Sequence, residues 1–157
     1  MIPVLSFLSG HMAILKGSAS HRRQLLDRVG ALISPSYAAK LNDYRKILRQ
    51  RAALLRRSRD TGVADRVLLP LGAWLWTARG EIAKPIGTAL AVFRPLTDRK
   101  LGVVFSRGGG GRTEAPLEDF RQSLAANRET ELLSRPSLVG PPRADLTIVV
   151  AGPDAPT

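Results

Sequence analysis

Apolar residues recur at intervals of three and four through most of this chain, and close up into compact branched runs at residues 4–7, 101–105 and 146–150. The first pattern marks helices with one buried face, and the second marks short strands. A helix is predicted over residues 20–33, with Ser18 and Ser20 as candidate N-caps. Ser34-Pro35 opens the next, with Pro at the first helical position. That second helix runs to about Arg59, where Asp60-Thr61-Gly62 ends it. Its length of about 25 residues corresponds to roughly 37 Å. Tyr37, Leu41, Tyr44, Leu48 and Leu55 fall on one stripe of it. Residues 63–97 keep the helical period but contain Pro70, Pro85 and Pro95, which predicts two or three pieces or kinks. A last helix is predicted over residues 116–134, opened by Glu118 and Asp119 and stopped by Arg135-Pro136. The segment RGGGGRTEAP at 107–116 reads as a flexible connector, and there is no internal repeat. The fold class is α+β, mostly helical.

Length and composition place this among globular chains of one domain's size: 157 residues, 44% hydrophobic. Charge changes the picture more. There are 24 Lys and Arg against 13 Asp and Glu, a net charge of +11, which favours nucleic acid or an acidic partner. The absence of cysteine removes disulfides and thiolate metal sites and fits a reducing, cytoplasmic setting. Residues 1–15 lack the basic start of a signal peptide, and the longest apolar run, VLLPLGAWLW at 67–76, is too short to span a bilayer.

The second helix concentrates this charge. Between residues 40 and 59 it carries Lys40, Arg45, Lys46, Arg49, Arg51, Arg56, Arg57 and Arg59, with Asp43 as the single acid. Arg45, Arg49, Arg56 and Arg59 share a stripe about a quarter turn from the apolar one. Such a track suits a phosphate backbone or a carboxylate-rich partner, and a solvated face is the alternative. The first helix poses a related question. Arg22 and Arg23 stand in its first turn, where the positive end of the helix dipole disfavours cations, so a counter-anion is expected. Asp27, one turn beyond Arg23, is the local alternative.

No catalytic constellation assembles. Glycines 108–111 are not a P-loop, because none of the five lysines follows a glycine to reach terminal phosphates. His11 and His21 have no acid or thiol companions for a metal sphere, and no G-x-S-x-G elbow activates a serine. Trp74 and Trp76 point to different sides of a helix, so at most one is central to the core.

Three stretches together resemble the RecF family of ABC-type, SMC-like ATPases. Ile14-Leu15-Lys16-Gly17-Ser18 followed by Arg22-Arg23 and Leu26-Asp27 is similar to the family's "LVKG-x-P-x-x-RR-x-F-L-D" element. Ser34-Pro35-x-Tyr37, then Tyr44-Arg45-Lys46-x-Leu48-x-Gln50-Arg51, resembles "L-S-P-x-Y…Y-x-x-x-L-x-Q-R-N". Residues 137–146, SLVGPPRADL, are close to "x-L-V-G-P-H-R-D-D-L". Departures are Phe7-Leu8-Ser9-Gly10-His11-Met12 for "F-S-P-E-D-L", Pro142 for His, Ala144 for Asp and Ala52 for Asn.

The resemblance implies a helical arm over residues 18–135, with 1–17 and 136–157 as strand segments joining a largely missing ATPase head. The Walker A loop would precede residue 1, and the signature and Walker B elements would follow Thr157, leaving a fragment or a trimmed or decayed gene product. No cofactor is expected in this chain, ATP and Mg belonging to the complete family member, a weak ATPase. The implied role is recombinational DNA repair: binding DNA at single-strand/double-strand junctions and helping RecA load with RecO and RecR, with a possible homodimer and no membrane. Arg22, Arg23, Arg45, Arg49, Arg56, Arg59 and, on the head side, Arg143 are the candidate DNA- or partner-binding residues. The alternatives are an arm that docks an acidic partner, such as RecR or a second protomer, without touching DNA, or a nonfunctional remnant.

Overall fold

The computed structural model describes residues 13–57, 59–90, 99–108, 114–134 and 139–151. The order is α1 (Ala13–Lys16), α2 (Ala19–Ile33), α3 (Pro35–Arg56), α4 (Gly62–Leu90), β1 (Lys100–Ser106), α5 (Pro116–Ala126), α6 (Arg128–Ser134), a 3-10 turn (Pro141–Arg143) and β2 (Asp145–Ala151). The expected strand at residues 4–7 lies outside the described residues. The part of the 1–17 segment that is described, α1, is one helical turn rather than strand.

Ser34 alone separates α2 from α3. Its extended backbone (φ −143°, ψ 119°) breaks the helix, its N–H donates to the Gly30 carbonyl, and Pro35 then starts α3. The turn needs glycine at position 30, where a Cβ would stand 2.6 Å from the Tyr37 ring. Antiparallel packing of α3 on α4 follows from two contacts that run in opposite order: Lys40 lies over the Trp74 ring, and Arg51 bonds Asp65.

Of the expected two or three pieces or kinks, α4 corrects the separate pieces. It is a continuous helix through Pro70 and Pro85 as far as Leu90, and Pro95 lies outside the described residues. An interior proline costs about 3 kcal/mol, whereas each fully buried large apolar side chain contributes about 1.5–3 kcal/mol. Leu68, Leu75 and Trp76 are all buried from this helix. Both prolines are exposed, so the carbonyls they leave without an intrahelical donor face the solvent side, where water can serve them. The last helix is corrected in the other direction. It splits at Asn127, whose side-chain amide donates to the Ser123 carbonyl and so competes with the helical ladder.

β1 and β2 pair antiparallel over their whole length, Lys100 opposite Ala151 and Ser106 opposite Asp145. The closing strand therefore has a partner within this chain, from inside the stretch read as arm. The core joins α2, α3, α4, α5 and β2 around Leu26, Tyr44, Leu68, Trp76, Phe120 and Leu146. Phe120 sits between two glycines: a Cβ would stand 2.3 Å from its ring at Gly72 and 2.7 Å at Gly140, whose φ of +96° also favours glycine.

Candidate nucleic-acid interface

The arginines divide by what faces them. In α2, Arg22 answers the question of the counter-anion from within the chain: its Nε and Nη2 donate to Asp145 of β2 at 2.7 and 2.9 Å, and its Nη1 donates to the Gly17 carbonyl at 2.8 Å. The bond to Asp145 raises the Arg22 pKa, and the same bond holds the Asp145 carboxyl below its ordinary value, helped by the Leu146 N–H. Arg23 donates to the Ala144 carbonyl at 2.8 Å instead of pairing with Asp27. Burial and then the neighbouring Arg79 lower its pKa.

Asp27 is taken by other groups. It is 7% exposed and accepts from the Tyr37 hydroxyl at 2.7 Å, from Arg79 Nε at 3.0 Å and from Arg45 Nη2 at 3.2 Å. Burial first, and then this hydrogen bond to a carboxylate, push the Tyr37 phenol upward. Arg79 also donates to the Pro141 carbonyl at 2.7 Å. The VGPPRAD stretch thus works as a hub: the carbonyls of Pro141 and Ala144 and the carboxylate of Asp145 receive Arg79, Arg23 and Arg22.

A second node ties α3 to α4 and α6. Arg51, 2% exposed, donates to Asp65 at 2.5 Å and to the fully buried Glu131 at 2.6 Å. Burial lowers the Arg51 pKa, but the bonds to Glu131 and Asp65 outweigh it and the net shift is upward. Sequence reasoning missed both nodes, although each left a signal. Arg51 falls on the stripe of Tyr44, Leu48 and Leu55, and Arg79 is an arginine closing the largely apolar run VLLPLGAWLWTA.

The remaining candidates are on the surface. Arg49 and Arg56 are exposed on α3, and Arg59 is exposed just beyond it, its N–H bonded to the Leu54 carbonyl. None of the three has a carboxylate partner among the described residues. Arg45 lies on the same side, half exposed, with its bond to Asp27 at its base. From Arg45 to Arg56 the stripe extends about 16 Å along the axis. At the Arg45 end it meets a cleft of ≈ 260 Å³ lined by Arg23, Arg45, Arg79 and Asp27, where cations outnumber acids. The structure thus gathers Arg23 and Arg45 at one cleft and aligns Arg45, Arg49 and Arg56. It holds Arg22 against β2, and it leaves Arg143 exposed on the 3-10 turn.

Gly108 has a φ of +69°, but its Cα side closes on the Arg143 carbonyl, which a Cβ would approach to 2.0 Å, so an acceptor oxygen stands where a phosphate would need donors. Glycines 109–111 lie outside the described residues. No described helix is long and apolar enough to cross a membrane.

No protein-family model matches the chain. Curated relatives do. The chain is 30% identical over 160 residues to the DNA replication and repair protein RecF of Heliobacterium modesticaldum, covering 92% of this chain and 42% of the relative. It is 31% identical to the same protein of Paenarthrobacter aurescens (92% and 46%) and 32% identical to that of Pelotomaculum thermopropionicum (97% and 46%). Two solved structures of the recombination mediator protein RecF in the RecFOR pathway, one with ATPrS and one with ATP, share the fold. Their TM-scores are 0.86 and 0.85 at 23% and 21% identity, over 93% and 96% of this chain and 43% and 44% of theirs. The chain spans a little under half the length of these relatives, and it belongs to the RecF family.

Proposed function

We propose that this chain is the helical arm of a RecF-like DNA repair and replication protein and that the outer face of α3 lies along the DNA phosphate backbone. The observation that carries the reading is the contrast in partners: Arg22, Arg51 and Arg79 each hold a carboxylate of this chain, while Arg49, Arg56 and Arg59 hold none among the described residues. A stretch of duplex as long as the stripe, about 16 Å, carries roughly ten phosphates. Four arginines against that many charges give weak, sequence-independent, salt-sensitive binding. Arg23 and Arg45, at the mouth of the cleft, extend the surface to a phosphate at the stripe's end. Arg22 is no longer a DNA contact in this reading; it fixes the start of α2 to β2. ATP and magnesium belong, in this reading, to the ATPase head of a complete RecF protein.

Fluorescence anisotropy with labelled single-strand/double-strand junctions at low salt tests this. Binding should be measurable for the unaltered chain, and the triple substitution Arg49→Ala, Arg56→Ala, Arg59→Ala should weaken it several-fold for junction and plain duplex alike. An acidic-partner arm instead of a DNA arm would show no binding to either DNA, or binding that the triple substitution leaves intact.

A further inference from the structure

A second feature of the arm does not take part in that reading. Between α3 and α4 runs a groove of ≈ 800 Å³. Its floor is apolar: Ile47 from α3, and Val67, Pro70, Leu71 and Trp74 from α4. Val67 is 44% exposed, and Ile47, Leu71 and Trp74 are only partly covered. The rim is cationic, with Lys40 and Lys46 on one wall and Arg66 on the other, and Asp43 is the single acid lining it.

The spacing of these residues describes what would fit. On α4 the apolar positions Val67, Leu71 and Trp74 step by four and three, with Arg66 and Pro70 beside them; on α3 the facing wall is Lys40, Asp43, Lys46, Ile47 and Gln50. The α4 spacing is that of a seam a helix shows to a neighbouring helix, and among the described residues the groove is open over about 15 Å of α3, some three turns. The floor is also braced. The Lys40 ammonium sits 4.2 Å from the Trp74 ring centroid, and Trp74 packs at 5.5 Å on Tyr37, itself tied to Asp27. Pro70 cannot donate to the carbonyl of Arg66, so the α4 wall carries a backbone acceptor with no intrahelical donor from that position.

We infer that this groove is a docking site for an acidic amphipathic helix of a partner protein, its leucine-type side chains on the apolar floor and its carboxylates against Lys40, Lys46 and Arg66. Charge complementarity selects this occupant. A second copy of this chain carries a net charge of +11 and approaches a cationic rim against that repulsion, and a nucleic acid backbone would leave the apolar floor unused.

The probe is a fluorescein-labelled helical peptide of roughly 18 residues, with Leu on an a/d stripe and Glu on both flanks. Control peptides replace every Leu by Ser, or every Glu by Lys. Trp74 reports occupancy from the protein side, since Trp76 is buried at 2% exposure. The Leu/Glu peptide should bind and change the tryptophan emission. Both controls should bind at least about tenfold more weakly. Val67→Asp and Arg66→Glu should each reduce binding about tenfold or more with the circular dichroism unchanged. The Arg49→Ala, Arg56→Ala, Arg59→Ala variant should bind the peptide as the unaltered chain does, which separates this site from the DNA surface. Absence of peptide binding overturns the inference. Equal binding by the Ser-substituted peptide, or displacement of the peptide by duplex DNA in the triple variant, would also overturn it, because the groove would then be reading charge alone or belong to the nucleic acid.

Discussion

The inner and outer faces of α3 carry the same residue type in opposite circumstances. Arg51 is almost wholly buried and grips Asp65 and Glu131, whereas Arg49, two positions earlier, is exposed with no carboxylate partner among the described residues. Burying a guanidinium removes its hydration, which costs several kcal/mol unless charged hydrogen bonds replace it. An arginine on the inner face therefore has to come with acids placed to receive it, and here those come from α4 and α6. On the outer face water does the same work at no cost, and nothing in the fold requires the charge. It is this exposed row that the proposal above sets against phosphates.

The sharpest way to break this contrast is to remove an inner arginine. Arg51→Ala removes the guanidinium that the fully buried Glu131 and the part-buried Asp65 share and should cost about 3–5 kcal/mol in urea denaturation. The outer triple substitution should stay within about 0.5 kcal/mol per site. Next in size is Gly72→Ala, which sets a methyl group against the Phe120 ring and should destabilise by about 1–3 kcal/mol; a compensating Phe120→Leu should recover part of the loss.

The Arg22–Asp145 pair gives a smaller effect with a pH signature. The folded Asp145 pKa is depressed, so the pair's contribution is fully present above the unfolded carboxyl value of about 3.9 and is lost as pH falls through the lower folded value. Both side chains are partly solvated, so screening limits the contribution to about 1 kcal/mol. Asp145→Asn should remove that acid-dependent component and leave the stability profile above about pH 5 parallel to that of the unaltered chain.

Much of this fold was legible in the sequence because helical periodicity and the Ser34-Pro35 and Asp60-Thr61-Gly62 boundaries are local signals. α2 and the pairing-competent strands β1 and β2 fall within a residue or so of their expected places. Pro70 and Pro85 misled for a definite reason: each weakens the helix locally, but the burial of Leu68, Leu75 and Trp76 that overrides them is a tertiary effect. The split at Asn127 is a local effect, an amide side chain reaching the carbonyl four residues back, which the periodicity of apolar positions does not register.

The candidate site was half legible. Arg45, Arg49 and Arg56 do align, since a helix fixes its own faces. The counter-charge of Arg22 could not be found, because Asp145 lies 123 positions away and only the packing of β2 on α2 brings the two together. A separation of 52 positions hid the Asp27 partner of Arg79 in the same way.

The most direct test of the central claim is the dependence of duplex DNA affinity on salt, measured for the unaltered chain and for the Arg49→Ala, Arg56→Ala, Arg59→Ala variant. If these outer arginines meet phosphates, the slope of log K against log salt becomes shallower by about 2–3 in the variant, while its stability is unchanged. Identical slopes for the two proteins would show that the outer row of α3 does not touch the backbone.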